Sequence, residues 1–256
     1  VIHSTAVIDS SAVLAPDVEV GPYSVIGPGV SIGAGTVIGP HVVIKRDTLI
    51  GERNRIFQFA SIGDDGQDKK YNNEPTRLEI GDDNVIREFC SIHRGTAQDQ
   101  NLTRIGSRNL FMTSVHIAHD CMIGNDNIVA SGSGVSGHVH IGDHVILGGM
   151  TGVHQFCHVG SHAMTAGCSL VVKDIPAYVM VAGNPCSAFG MNFEGMRRRG
   201  WSSETIATLK RAYRFVYRES LTLDAAIAQV EKLIAECPEV TLFVDSLKAS
   251  TRGIVR

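Results

Sequence analysis

"EVGPYSVIGPGVSIGAGTVIGPHVVI", residues 19–44, decides the fold. An aliphatic residue falls at Val20, Ile26, Ile32, Ile38 and Ile44, and a glycine follows the first four of them. The series reaches back to Ile2, Ile8 and Leu14 and forward to Ile50, Ile56 and Ile62. It resumes at Ile80, Ile86 and Ile92, and again from Ile105 through Phe111, Ile117, Ile123, Val129, Val135, Ile141, Leu147, Val153 and Val159. It slips to Thr165 before Val171. Neither a helical nor an alternating-strand period gives a six-residue spacing. A hexapeptide period implies one short strand and one turn per hexad, with three hexads closing a triangular coil. Coils stack at the ~4.8 Å spacing of β-strands, so residues 18 apart in sequence lie one above the other. The aliphatic side chain then points inward, and the small residue after it permits the tight corner.

Two stretches break the register, "DDGQDKKYNNEPTR" at 64–77 and "RGTAQDQNLTR" at 94–104. They are expected as loops thrown out from the prism, and long loops on a regular scaffold are more often functional than accidental. After "AGNPCSAFG" at 182–190 the hexads stop. Ile206, Leu209, Tyr213 and Val216 are spaced for one helix, and Leu223, Ile227, Val230 and Ile234 for the next. Pro238 opens a third, with Val240, Phe243, Val244 and Leu247 on one face. Ser202 and Thr222 are the expected N-caps. The chain is therefore expected to be mainly β, with a parallel β-helix over 1–185 and a small α-helical domain over 186–256.

Composition narrows the function. The chain has 256 residues, of which only 6% are aromatic, so the core must come from small aliphatic side chains. A net charge of −3 gives no reason to expect nucleic acid or an anionic membrane as partner. No N-terminal segment resembles a signal peptide and no apolar run suits membrane insertion, so a cytoplasmic protein is expected. Its first residue is Val1, which leaves room for a missing initiator methionine. Six scattered cysteines without a C-x-x-C pair read as free, mostly buried thiols. "GSGVSG" at 132–137 fits the dinucleotide fingerprint, but no βαβ unit surrounds it and Val135 is simply the next inward residue.

"SVHIAHDCMIG", residues 114–124, can now be placed. His119 lies two past inward Ile117; one coil later the same position is Gly137, and two coils later it is Gln155. A histidine beside a glycine leaves a gap for a substrate atom, with the Gly137 N–H free to aim at it. A general base beside a backbone donor is what acyl transfer to a hydroxyl requires. Asp120 is adjacent and would hold the ring's tautomer. The other reading is an ordinary surface histidine on a coil, and spacing alone favours it. His140 and His158 also stack, above Met122, which raises a zinc site of the γ-carbonic anhydrase kind. That family sets its two later histidines five apart; His154, His158 and His162 are four apart, so no metal is expected. Arg197, Arg198 and Arg199 read either as a solvated helix face or as a phosphate grip. A purely structural β-helix is the third class, and it needs no His119–Gly137 stack.

"QFASIG" (58–63), "EPTRLEIG" (74–81), "SIHRGT" (91–96), "HIAHDC" (116–121), "GGMTGVHQF" (148–156) and "NFEGMRRRGW" (192–201) together resemble the UDP-N-acetylglucosamine O-acyltransferases of lipid A biosynthesis. The resemblance covers the whole chain, both loops and the helical tail included. It implies a left hand for the β-helix, against the general rule for parallel crossovers. It implies transfer of a 3-hydroxyacyl group from acyl carrier protein to the glucosamine 3-hydroxyl of UDP-N-acetylglucosamine. The donor is a phosphopantetheine thioester, and no cofactor is tightly bound. It makes His119 the general base, Gly137 the oxyanion donor and Asp120 the residue that orients His119. His116, His138, His154 and Gln155 would line a cleft between subunits of a homotrimer, with Asp68 and Lys70 reaching across it. Asn192, Glu194, Arg198 and Arg199 would hold the UDP moiety or the carrier's phosphopantetheine, and Gly167 would end the acyl groove. Another hexapeptide-repeat acyltransferase remains the alternative.

Overall fold

The six-residue period becomes a prism. A computed structural model describes residues 1–256 and shows three sheets of very short strands, with nine, eight and ten strands. The first sheet aligns Ile8, Ile26, Ile44, Ile62, Ile92, Ile117, Val135, Val153 and Val171 in parallel register. The second aligns Leu14, Ile32, Ile50, Ile80, Ile105, Ile123, Ile141 and Val159. The third aligns Val20, Ile38, Ile56, Ile86, Phe111, Val129, Leu147, Thr165 and Val181. The chain visits the sheets in turn, one hexad each, as a left-handed β-helix.

The aligned aliphatics are the core. From Ile26 to Ile62 every hexad aliphatic is at most 2% exposed, and burying each contributes about 1.5–3 kcal/mol. Ile2, on the first rung, is 53% exposed. Thr165, where the hexads slip, is also inward and fully buried, and its hydroxyl is satisfied. It lies 2.8 Å from the Thr151 hydroxyl and accepts from Gly148 N–H at 2.9 Å. The glycine after the inward residue has a more specific cause than a tight turn. A Cβ on Gly33 would sit 2.7 Å from the backbone of Gly51 on the next coil, so the coils themselves exclude a side chain there.

The two excursions leave and rejoin at matching places. The first runs between strands Ser61–Asp64 and Arg77–Ile80, the second between Ser91–His93 and Leu102–Ile105. Both therefore sit at the corner between the first and second sheets, on consecutive coils. A buried arginine fastens the first of them: Arg94, 1% exposed, donates to the Gly63 carbonyl, to Asp65 and to the Tyr71 hydroxyl.

The C-terminal part begins differently from expectation. The boundary expected after residue 185 falls inside an antiparallel hairpin, Val179–Gly183 with Cys186–Met191, which caps the third sheet. A hairpin pairs the chain with itself and so leaves no hexad signature. Four helices follow: α1 (Phe193–Arg198), α2 (Ser203–Tyr217), α3 (Leu223–Glu231) and α4 (Val240–Lys248). The short α1 carries the arginine run and was not visible as a period. Ser202 and Thr222 cap α2 and α3 by accepting from Thr205 N–H and Ala225 N–H. Buried Asp174 ties this part to the prism: it accepts from His158 N–H at 2.7 Å, the Ser250 hydroxyl at 2.7 Å and Thr251 N–H at 3.0 Å. No helix is long and apolar enough to cross a membrane.

Candidate active site

His119 occupies the corner between the first and second sheets one coil above the two excursions. The lower loops therefore pack directly beneath it. A Cβ on Gly66, in the first excursion, would lie 3.3 Å from His119 Cβ and 3.2 Å from Thr96 Cγ2 in the second. His119 Nδ1 is 2.8 Å from Asp120 Oδ2. Asp120 is fully buried, yet richly bonded: Thr96 donates its N–H at 2.8 Å and its hydroxyl at 2.6 Å. Burial pushes the Asp120 carboxyl pKa up, but the hydrogen bonds from His119 and Thr96 outweigh it and hold the group below the ordinary carboxylate value. An ionised Asp120 accepts from Nδ1–H and leaves the Nε2 lone pair of neutral His119 free.

Gly137 lies against that ring. A Cβ there would be 2.6 Å from His119 Cε1 and 2.8 Å from Nε2, so the imidazole itself fills the space the missing side chain leaves. The expected gap beside the histidine is thus occupied by the histidine. The Gly137 N–H donates no hydrogen bond, nor do those of His119 and Gln155.

The next turn position stacks too. Asp120, His138 and Phe156 follow one another at 18-residue intervals, each in the left-handed region. His138 lies flat on Phe156, with centroids 4.4 Å apart and planes 6° apart, and edge-on to His119 at 5.1 Å. Its Nδ1 is 2.8 Å from Asp99 Oδ2 and 4.0 Å from Asp120 Oδ2. His119, His138, Phe156 and Asp99 line a cleft of about 820 Å³ with Gln67, Asp68, Lys69, Lys70, Gln98 and Gln155, and Asp120 lies buried behind it. The chain's own first loop thus supplies Asp68 and Lys70 to the cleft that holds His119. The sequence reading missed Phe156, which the 18-residue rule would have found from His138. It also missed Thr96, Gln98 and Asp99, for which an irregular loop offers no signal.

Other expected residues lie elsewhere in a single chain. His116 turns along the first sheet, where its Nδ1 is 2.8 Å from the Ser91 hydroxyl and its ring meets His93 edge-on at 5.0 Å. Burial, aided by the charge of His119, lowers the His116 pKa. His154 is exposed and leans on the Gln155 carbonyl at 3.1 Å. Asn192 is 4% exposed and serves as the N-cap of α1, accepting from Gly195 N–H at 3.0 Å. Glu194 pairs with Arg197 and Arg198 on the exposed face of α1, and Arg199 donates to the Gly195 carbonyl. Gly167 sits at a different corner, between the third and first sheets. There a Cβ would meet only the Gly149 carbonyl, at 3.4 Å.

Nitrogen and oxygen atoms of His119, Asp120 and His138 lie within 4.8 Å of one another, but both Nδ1 atoms face carboxylates. The three histidines weighed for zinc, His154, His158 and His162, point to different parts of the prism. His154 is on the site corner, His158 stacks with His140 at 4.8 Å on the second sheet, and His162 stacks with Tyr178 at 5.3 Å. A second cleft, about 520 Å³, runs past His140 and His158 beneath α4 and contains no carboxylate to orient either ring.

Comparison with known proteins matches the fold along the whole chain. Residues 174–255 match the profile described as UDP N-acetylglucosamine O-acyltransferase, domain 2, and residues 1–34, 11–46 and 102–137 match bacterial transferase hexapeptide repeats. The acyl-[acyl-carrier-protein]–UDP-N-acetylglucosamine O-acyltransferase of Azotobacter vinelandii is 60% identical over 255 residues, covering 100% of this chain and 99% of that one. The protein of the same name from Ectopseudomonas mendocina is 54% identical with the same coverage. The structure of LpxA from Acinetobacter baumannii superposes with a TM-score of 0.97 at 57% identity, covering 100% and 99% of the two chains. The Moraxella catarrhalis UDP-N-acetylglucosamine O-acyltransferase does so with a TM-score of 0.99 at 54% identity and the same coverage. With identity this high over its full length, the chain belongs to the UDP-N-acetylglucosamine O-acyltransferase family.

Proposed function

We propose that this chain transfers a 3-hydroxyacyl group from acyl carrier protein to the glucosamine 3-hydroxyl of UDP-N-acetylglucosamine, the first step of lipid A biosynthesis. The names of its relatives support the two substrates. One observation carries the chemistry: a carboxylate-held imidazole with a free Nε2 lies against a glycine whose N–H is unpaired. His119 Nε2 takes the proton of the 3-hydroxyl as its oxygen attacks the thioester carbonyl. The Gly137 N–H donates to the oxyanion of the tetrahedral intermediate. The carbon–sulfur bond then breaks, and the thiolate of phosphopantetheine takes the proton back from His119. Asp120 keeps the ring in the right tautomer and stabilises its charged form between the two transfers. No acyl-enzyme is needed, and burial pushes the thiols of Cys121 and Cys157 up to about 12 and about 11.

The protein is read as a cytoplasmic homotrimer. The outward face of the third sheet carries an unbroken apolar ladder, Val85, Leu110, Ile128, Ile146, Met164 and Met180, in direct register. A stripe of that kind marks a surface that a partner covers. Of the residues that do not reach their own chain's cleft, His154, Gly167, Glu194, Arg198 and Arg199 then serve the neighbouring subunit's. The test is purified protein with UDP-N-acetylglucosamine and a panel of 3-hydroxyacyl carriers. The reading expects an O-acylated sugar nucleotide and one free carrier thiol per turnover. Acylation of a different acceptor alone would favour another hexapeptide-repeat acyltransferase.

A further inference from the structure

One short stretch of the second excursion holds both imidazoles of the cleft. Its first residue, Thr96, grips the carboxylate behind His119 with its N–H at 2.8 Å and its hydroxyl at 2.6 Å. Its last, Asp99, reaches the other ring, with Oδ2 2.8 Å from His138 Nδ1. Phe156, parallel to His138 at 4.4 Å, fixes the plane of that ring, and Asp99 fixes its rotation within the plane. His138 Nε2 has no protein partner and is not closed off from solvent, so it opens on the cleft that the ring lines.

We propose that Asp99 is a positioning residue for the acceptor sugar: it holds His138 with the proton on Nδ1, so that Nε2 presents a lone pair to a hydroxyl or amide N–H of the sugar nucleotide. A carboxylate can only accept, which places the proton of neutral His138 on Nδ1. The assignment rests on the acyl-transfer reading above. It also divides the labour between two similar pairs. Asp120 is enclosed, with a side chain 0% exposed and Thr96 behind it, and it serves the ring that moves protons. Asp99 is 32% exposed with the His138 ring as its partner, and it serves a ring that binds.

The experiment compares Asp99→Ala and Asp99→Asn in the full-length protein. Asp99→Ala is expected to raise KM for UDP-N-acetylglucosamine on the order of tenfold, with kcat within about threefold and KM for the acyl carrier unchanged, the pattern of lost substrate binding. Asp99→Asn, whose side-chain carbonyl still accepts from Nδ1–H, is expected to recover most of that loss. Imidazole ¹⁵N spectra of the substrate-free protein give a second readout, with His138 Nδ1-protonated in the parent and Asn variant and shifted towards Nε2–H in the Ala variant. Because the spectra need no turnover, they test the Asp99–His138 link even if the acyl-transfer reading fails. An unchanged tautomer in Asp99→Ala, an unchanged sugar-nucleotide KM, or a loss confined to kcat would each overturn the proposal.

Discussion

The corner that carries His119 and the corner that follows it are built on the same turn, yet they treat the same backbone atom in opposite ways. Two residues past each inward aliphatic, the N–H points away from the coil ladder. From Glu52 to Asn125, between the second and third sheets, each such N–H is taken by a side chain from the next coil. Glu52 donates to Asp82 at 2.8 Å, Asp82 to Ser107 at 2.9 Å, Ser107 to Asn125 at 2.8 Å and Asn125 to Asp143 at 2.7 Å. Behind them a buried ladder of Asn54, Asn84, Asn109 and Asn127 passes one hydrogen bond to the next. At the corner of His119, Gly137 and Gln155 the equivalent N–H groups are left unpaired. The side-chain bonds tie successive coils together at one corner; at the other, as at the corner between the third and first sheets, the N–H groups stay unpaired, and beside Gly137 the His119 ring adds a base to the unpaired donor.

That contrast can be broken at either end. Gly137→Ala pushes a methyl into the His119 ring, which Asp120 prevents from yielding, and disturbs the unpaired donor. It is expected to lower kcat on the order of 10²–10³-fold, the scale of a lost oxyanion donor, with little change in Tm. Asn84→Ala should do the reverse. It strands the Asn109 N–H and the Gly106 carbonyl, which Asn84 now pairs at 2.9 Å each, at a cost of about 2–5 kcal/mol. Thermal unfolding would show the loss while kcat of the folded fraction stays near the parent value.

A smaller effect follows pH. Burial pushes His93 and His162 down to about 4, and both are nearly enclosed. In the window between about 4 and 6.5 the unfolded chain binds protons that the folded one does not, so stability rises with pH and falls on acidification. Each ring therefore removes about 2 kcal/mol of stability between pH 7 and pH 5. His162→Phe, stacked on Tyr178 as His162 is, should flatten about half of that slope in denaturant titrations.

The smallest sharpens the reading of a glycine outside both corners. Gly167 is not in the left-handed region and faces only a carbonyl at 3.4 Å, so neither backbone nor packing demands glycine there. If Gly167 ends the acyl groove, as proposed, the open rung is expected to favour a longer 3-hydroxyacyl chain, on the order of 12 to 14 carbons, since each buried methylene is worth about 0.8 kcal/mol. Gly167→Met should shift the preferred chain down by about two carbons or more, a several-fold change in relative kcat/KM across a carrier panel. An unchanged ranking would assign the ruler to another residue.

The sequence made the prism legible because each hexad repeats one local decision, and residues 18 apart inherit a contact from that repetition. His119 with Gly137 came from this rule, and Phe156 above His138 obeys it as well. Thr96, Asp99 and Arg94 were invisible for the opposite reason. Outside the period the path of the chain is set by contacts made far along the sequence, as when Arg94 binds Asp65 and Asp99 binds His138. The placement of His116 and Asn192 shows a second limit. A motif names residues, but not the side to which a strand or a cap turns them. His116 is outward on its strand, and Asn192 is consumed by the first turn of α1.

The most direct test of the site is the single-turnover rate of acyl transfer by His119→Ala, measured alongside its Tm. The rate should fall about 10²–10⁴-fold, the usual worth of a general base, with unfolding unchanged to within a degree or two. A variant that keeps more than a tenth of the parent rate would show that some other group takes the proton, and the chemistry assigned to this corner would be wrong.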